Sequence, residues 1–250
     1  MATAIFGSPL LAGEGETASL TTTASYLLVK PGFHEAKLYC ASQWRLALSP
    51  ALLHCLYYSA SAGTYTEYRT QATDRVSTTH VPLDAMAITD YVYLGFSDPA
   101  LGIYVNVDTT NKNDNAATLD VEYCSTAVAQ DVPIAFTDVA GDSDGTDVLG
   151  DTLKQAGVYT WTLPTAWKRS TLGTYISPLY AKGWWIRFKP SAALSATVDL
   201  IDIIPVYKNA NYLYMEPGIE YQFSVNVAKV SGFVLMGTAT STLDVGWIKH

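Results

Sequence analysis

Short stretches of alternating apolar and polar residues follow one another along most of the chain. Each is rich in β-branched and aromatic residues and is bounded by Gly, Pro, Asn, Asp or Ser, which is typical of strands separated by turns. The stretches are EAKLYCA, WRLALS, LLHCLYYSA, YTEYRTQ, RVSTTHV, DYVYLGF, GIYVNVD, ATLDVEYC, GVYTWTL, GWWIRFK, TVDLIDI, IEYQFSVNV and GFVLMGT. Many short strands with closely spaced turns predict an all-β sandwich or barrel.

Two segments near the ends of the chain are similar to each other and indicate its domain organisation. YLLVKPGFHE begins at Tyr26, YLYMEPGIEY begins at Tyr212, and both place Pro-Gly before an alternating strand. Pro-Gly favours a type II turn. We therefore predict one β domain from residues 26–85 plus 207–250, with residues 86–206 as a second domain. Residues 1–25, rich in small side chains, are predicted to form an N-terminal arm.

The predicted fold is accordingly all-β, with two packed antiparallel β-sandwich domains of jelly-roll-like type, one inserted in the other. A chain of 250 residues can supply a sizeable core for each domain. No flexible Gly/Ser linker separates the predicted domains, so we expect them to pack rigidly.

Composition and charge limit the possible partners. Apolar residues make up 49% of the chain and charged residues only 15%, which argues against disorder. The net charge is −8 and no Lys/Arg cluster occurs, so we expect no nucleic-acid partner. The first residues do not resemble a signal peptide, and no apolar run reaches the roughly 18 residues of a membrane span. We therefore expect neither secretion nor a membrane partner.

The three cysteines, Cys40, Cys55 and Cys124, are widely spaced and form no CxxC motif. We expect three buried thiols, because free Cys behaves as a small apolar residue. A bridge between Cys40 and Cys55 remains an alternative.

No catalytic signature occurs in the chain. Its four histidines lack the spacing of a metal site, and GxSxG, a P-loop and a GxGxxG motif are all missing. Carboxylate pairs exist, but nothing marks two of them as facing one cleft, as a glycan-active enzyme needs. We therefore predict a non-enzymatic protein with no catalytic residues and no cofactor.

The segment FTDVAGDSDGTDVLGD is the strongest local polar signal. Asp142, Asp144 and Asp147 surround a glycine, and alternating Asp oxygens could supply several calcium ligands. The spacing differs from that of an EF-hand. We favour a solvated hairpin whose Asp side chains cap their own turn, and we expect no metal.

The segment GWWIRF contains the main candidate contact residues. Strand alternation predicts Trp184, Ile186 and Phe188 on a core face, with Trp185 and Arg187 on the opposite face. We expect that second face at a protein interface, with Arg187 beside an aromatic ring or a carboxylate. Trp247, near the C-terminus, is a further candidate interface residue. Sugar stacking on exposed Trp or Tyr remains an alternative, although aromatic residues are also enriched in protein interfaces.

Residues 91–205 resemble a module found in virion proteins of tailed bacteriophages. The resemblance rests on the order and spacing of a YxGF strand, an Asn-bearing turn, an LxVEY strand, a Pro-x-x-Trp segment and a WxRF strand. The matching positions are Tyr93, Gly95, Phe96, Asn113, Val121, Tyr123, Gly157, Pro164, Trp167, Trp185, Arg187 and Phe188.

The resemblance implies a structural protein of the virion, assembled in the cytoplasm of a host bacterium. We expect a capsid decoration (cement) protein that stabilises the phage head, forms a homo-oligomer (a trimer is the working expectation) and contacts the major capsid protein or other virion proteins. The alternative is a tail or baseplate protein that binds host surface glycans through the same module.

Overall fold

The computed structural model describes residues 13–21, 25–28, 33, 35–74, 76, 78–125, 135–172, 183–206, 213–224 and 230–248. The fold is all-β, as predicted, and its four sheets are antiparallel. The chain divides into two compact units, residues 1–49 with 207–250 (unit 1) and residues 50–206 (unit 2).

Where the structure describes unit 1, it forms two four-stranded sheets. In order along the chain, its described strands are β1 (Gly13–Leu20), β2 (Ser25–Leu28), β3 (Glu35–Cys40), β4 (Trp44–Pro50), and, after unit 2, β17 (Leu213–Met215), β18 (Glu220–Ser224), β19 (Val230–Gly237) and β20 (Ser241–Ile248). Sheet A has the order β1-β20-β3-β18, and sheet B has the order β17-β4-β19-β2.

The core of unit 1 lies between sheets A and B. Alternate residues of β3 are buried, as are alternate residues of β20, because successive side chains of a strand point to opposite faces. Leu38 and Val245 come from sheet A, and Trp44 and Phe233 come from sheet B. All four belong to one buried cluster, which makes the unit a β-sandwich.

The described residues of unit 2 form one helix and two larger sheets. Its described elements are β5 (Leu52–Ser59), β6 (Thr64–Glu67), α1 (Arg69–Thr73), β7 (Val81–Pro82), β8 (Tyr91–Phe96), β9 (Gly102–Val107), β10 (Leu119–Cys124), β11 (Phe136–Asp138), β12 (Ala140–Asp144), β13 (Gly157–Thr162), β14 (Arg169–Ser170), β15 (Gly183–Pro190) and β16 (Asp199–Val206). Sheet C has the order β11-β10-β15-β8-β5-β6, with β14 paired to β15. Sheet D has the order β12-β13-β9-β16-β7. No helix in the described ranges is long and apolar enough to cross a bilayer.

The core of unit 2 lies between sheets C and D. Ile186 and Phe188 of sheet C and Val105 and Ile203 of sheet D belong to one buried cluster. Trp161 joins this cluster from β13, and its Nε1 donates to the Ala100 carbonyl at 3.0 Å. A buried Trp keeps its polar atom satisfied in this way.

Residues 50–85 lie elsewhere than the repeat predicted. The repeat groups them with the flanking segments, but β5 pairs with β8 from Leu52↔Phe96 to Tyr58↔Tyr91 and therefore lies inside sheet C. Two predicted strands also differ from the strands that the structure shows. YTEYRTQ is strand only as far as Glu67 and then turns into α1. In RVSTTHV, the described residues contribute only Val81 to a strand, β7.

Candidate functional site

The outer face of sheet C, which points away from sheet D, carries a second aromatic cluster. Leu56, Tyr93, Cys124, Leu172 and Trp185 form its buried part, and Tyr58, Tyr65, Tyr91 and Phe136 pack against it half-buried. We call Tyr58, Tyr65, Tyr91, Tyr93, Phe136 and Arg187 the aromatic face.

The register of sheet C aligns these aromatic side chains across the strands. Tyr58 lies opposite both Tyr65 on β6 and Tyr91 on β8. The rings of Tyr58 and Tyr65 are 4.6 Å apart, centroid to centroid, with a 35° tilt. Tyr93 lies 5.9 Å from Tyr91 and 6.0 Å from Tyr65. Tilted contacts of this kind stabilise cross-strand aromatic pairs beyond simple burial.

Arg187 lies between two rings of the aromatic face. Its guanidinium carbon is 4.3 Å from the Tyr91 centroid and 4.4 Å from the Phe136 centroid, and its Nε donates to the Glu122 carboxylate. Burial acts to lower the pKa of Arg187, but hydrogen bonds with Glu122 and Tyr93 outweigh it and hold the pKa above its ordinary value. The expectation that Arg187 lies beside an aromatic ring or a carboxylate is confirmed for both groups.

Trp185 occupies the same face as Arg187, as alternation predicts, but it has no exposed surface. Its Nε1 donates to the Ser170 carbonyl at 3.0 Å, and His54 stacks on its ring at 5.4 Å. Gly95 lies directly opposite. Since β14 and β5 supply these covering groups, Trp185 is not available as an interface residue, contrary to the sequence prediction.

The predicted core face of β15 is largely as expected. Ile186 and Phe188 are 0% and 1% exposed, whereas Trp184 is half-buried and packs against the same cluster. Trp184 lies at the edge of the core, where its ring meets that of Trp167 at 6.0 Å. The relative burial of the two adjacent tryptophans is therefore the reverse of the prediction.

Trp247, the remaining predicted interface residue, is fully buried in unit 1. Its ring packs against Phe33 and Phe233 at centroid distances of 6.3 and 6.5 Å, and its Nε1 donates to Glu16 at 2.6 Å. It is a core residue of the sandwich and cannot contact a partner while unit 1 is folded.

The acidic loop caps its own turns. Asp144 accepts hydrogen bonds from the Thr146 amide at 2.7 Å and from the Thr152 hydroxyl at 2.5 Å. Asp147 accepts from the Gly150 amide at 3.1 Å, and Asp142 accepts from the Tyr159 hydroxyl. Burial and this hydrogen bond raise the pKa of Tyr159. In the described ranges, no group of three or more His, Cys, Asp or Glu is placed to hold a metal ion.

The three cysteines are free and buried, so the expectation of buried thiols is confirmed. Burial raises the pKa of the Cys55 thiol, and the nearby Glu67 carboxylate acts in the same direction. A thiol held protonated in this way is a poor nucleophile.

The aromatic face itself was not predicted from the sequence. Tyr91 and Tyr93 alternate in YVYLGF, and Leu56 and Tyr58 alternate in LLHCLYYS, so each strand carried a signal for a second apolar face. Combining these signals into one face requires the pairing of β5, β8 and β15, which no local sequence pattern predicts.

The chain matches no protein-family model, no curated protein and no solved structure.

Proposed function

We propose that the chain is a non-enzymatic structural protein of a tailed-phage virion, a decoration protein that stabilises the capsid. The observation that carries the proposal is that the residues of the resemblance support one framework, that of unit 2. Gly95 gives room to the Trp185 ring, and Trp167 donates its Nε1 to the Trp185 carbonyl at 3.0 Å.

Two further positions of the resemblance have equally structural roles. Asn113 is fully buried and joins three loops through its side-chain amide. Gly157 packs directly on backbone, since a Cβ there would lie 2.1 Å from the Gly145 carbonyl oxygen. Residues that hold strands and loops together are the kind that a structural module needs.

The aromatic face supplies a surface suited to assembly. It combines half-buried Tyr and Phe rings with an Arg whose charge is balanced by Glu122, and protein interfaces are enriched in Tyr, Phe and Arg. Neighbouring rings of the face are tilted by 35° to 73° to one another, so they do not form the flat platform on which sugar rings stack. This geometry favours a protein partner over the glycan-binding alternative.

The proposal is tested on particles produced from the phage genome that encodes the chain. Antibodies against the purified chain are applied to gradient-purified particles and located by immunogold electron microscopy. We expect label over the head, and particles lacking the chain should release DNA at a lower temperature until purified chain is added back. Label on the tail would support the glycan-binding alternative, and particles without label would overturn a virion role.

A further inference from the structure

One end of unit 2 is built from tightly connected loops. Asn113 donates to the Thr152 carbonyl at 2.9 Å and accepts from the Ser195 amide at 3.0 Å. The Ala85 amide donates to the Ser195 carbonyl at 2.8 Å, and the Ala117 amide donates to the Gly150 carbonyl at 3.2 Å. These bonds fix the loops to one another, so the end of the sandwich presents a preorganised surface.

The described non-glycine residues with positive φ all lie at this end. They are Ala85 at 48°, Leu149 at 60° and Leu153 at 55°. Leu153 is fully buried in the core, and its packing offsets the strain of that conformation. Leu149 is 100% exposed, so no packing against the described residues offsets the strain of its conformation.

Leu149 lies at the tip of a two-residue turn. The amide of Val148 donates to the Asp151 carbonyl at 3.1 Å, the reverse bond is 3.3 Å, and Gly150 follows Leu149 with φ 95°. Turns of this shape normally carry Asn, Asp or Gly at the Leu149 position. We call Asp147 and Leu149 the tip. The tip presents the apolar side chain of Leu149 next to the half-exposed carboxylate of Asp147.

Unit 1 has a surface with complementary properties at the edge of sheet B. Leu213 and Tyr214 on β17 are 58% and 61% exposed, although both are large and apolar. Arg45 on β4 lies opposite Tyr214, with its guanidinium carbon 4.8 Å from the ring centroid. No described carboxylate forms an ion pair with Arg45, and its Nε is buried with no hydrogen-bond partner. Leu213 pairs with the core residue Leu46 and so lies on the opposite face of β17 from Tyr214. We call Arg45 and Tyr214 the edge patch.

We propose that two copies of the chain associate head to tail, with the tip of one copy docking on the edge patch of the next. Leu149 would bury against the Tyr214 ring, and Asp147 would approach Arg45. Apolar burial would supply the affinity, and the opposite charges would orient the contact. In a head-to-tail pair one tip and one edge patch stay free, so the contact is heterologous and continues into a ring or an open chain of copies.

The contact adds a mode of self-association to the proposed function, and it is tested on the purified chain alone. Sedimentation velocity is measured up to about 100 µM, a range suited to small interfaces. The wild type should form dimers and larger species. Leu149→Asn should weaken association by about tenfold or more, the expected effect of losing one buried leucine. Because Asn tolerates positive φ, the same variant should melt at or above the wild-type temperature.

Tyr214→Thr disrupts the edge patch and should weaken association in the same way. The matched control is Leu163→Asn, which removes a leucine that is 47% exposed at the opposite end of β13. This control should associate like the wild type.

A mixture of the two disrupted variants distinguishes this contact from a symmetric one. Leu149→Asn retains its edge patch and Tyr214→Thr retains its tip, so together they should form 1:1 dimers with nearly wild-type affinity and grow no further. A wild type that stays monomeric, a Leu149→Asn variant that associates normally, or a mixture that does not dimerise would each overturn the inference. The virion role is judged separately, by immunogold labelling.

Discussion

Trp184 and Trp185 are adjacent in the sequence but differ in their contribution to stability. Trp185 is fully enclosed, whereas Trp184 is half-buried at the edge of the core. We expect Trp185→Ala to lower the free energy of unfolding by about 3–5 kcal/mol, the usual cost of removing a buried aromatic side chain. Trp184→Ala should cost clearly less. Urea unfolding of both variants measures this difference, and equal losses would contradict the assigned burial.

Gly95 is required by the Trp185 ring that faces it. A Cβ at this position would lie 2.8 Å from two ring carbons, which is too close without displacement of a buried indole. Gly95→Ala should therefore destabilise unit 2 by about 1–3 kcal/mol, as overpacking usually does. Thermal unfolding measures the effect.

The control for this substitution is Gly15→Ala. Gly15 is also in a strand, but a Cβ there would meet nothing closer than the Val245 carbonyl oxygen at 3.9 Å. This variant should unfold at about the wild-type temperature. If Gly95→Ala also unfolds at about the wild-type temperature, the Trp185 ring has space to move aside that the structure does not show.

Alternation predicted which side chains share a face of β15, and that assignment agrees with the structure. It could not predict that both faces are covered, because the covering groups come from distant positions. His54 is on β5 and Ser170 is on β14, and each reaches Trp185 only through the pairing of sheet C. Local pattern thus defines the face, and non-local pairing decides whether that face is buried or exposed.

At the scale of elements, the loops of unit 2 depend on one buried amide. The Asn113 side chain donates to the carbonyls of Asn115 and Thr152 at 2.8 and 2.9 Å and accepts from the amides of Asn115 and Ser195 at 3.1 and 3.0 Å. Asn113→Ala should cost about 3 kcal/mol or more, because several buried polar groups lose their partner at once. Hydrogen exchange should also accelerate in these loops before it does so in β9 or β15. Uniform protection across unit 2 would show that the loops do not depend on Asn113.

The stability of the acidic loop is expected not to depend on calcium. Its carboxylates already accept hydrogen bonds from amides and hydroxyls of the same segment, as they do when they cap turns. EDTA or added calcium should therefore leave the melting temperature of the chain unchanged. A ligand that binds only the folded state raises stability by mass action, so a rise of several degrees with calcium would identify the loop as a metal site.

At the scale of the whole molecule, composition and strand pattern predicted the all-β class, and the YLxxxPG repeat indicated that both ends of the chain are related. The domain boundary was harder to place. No Gly/Ser linker precedes residues 50–85, so the pairing of β5 with β8 is what assigns them to unit 2. The tip and the edge patch were also beyond prediction, because exposure of an apolar residue is a property of the folded chain.

Unit 2 should fold without the rest of the chain. Its two ends come together at one end of the sandwich, where the Ser97 amide donates to the Ala51 carbonyl at 3.0 Å and the Leu101 amide donates to the Val206 carbonyl at 3.0 Å. All described strands of sheets C and D lie within residues 50–206, so removing unit 1 separates none of their pairs. A polypeptide of residues 50–206 should unfold in one cooperative thermal transition, followed by near-ultraviolet circular dichroism.

Residues 86–206 alone provide the comparison that tests the boundary. Without β5, the Tyr91–Phe96 strand loses one of its two neighbours in sheet C and the aromatic face loses Tyr58, so this shorter polypeptide should show no cooperative transition. If the shorter polypeptide melts cooperatively at the temperature of the longer one, the unit begins near residue 86, as the sequence repeat predicted. If only the polypeptide of residues 50–206 melts cooperatively, β5 is an integral part of sheet C and the domain boundary lies before β5.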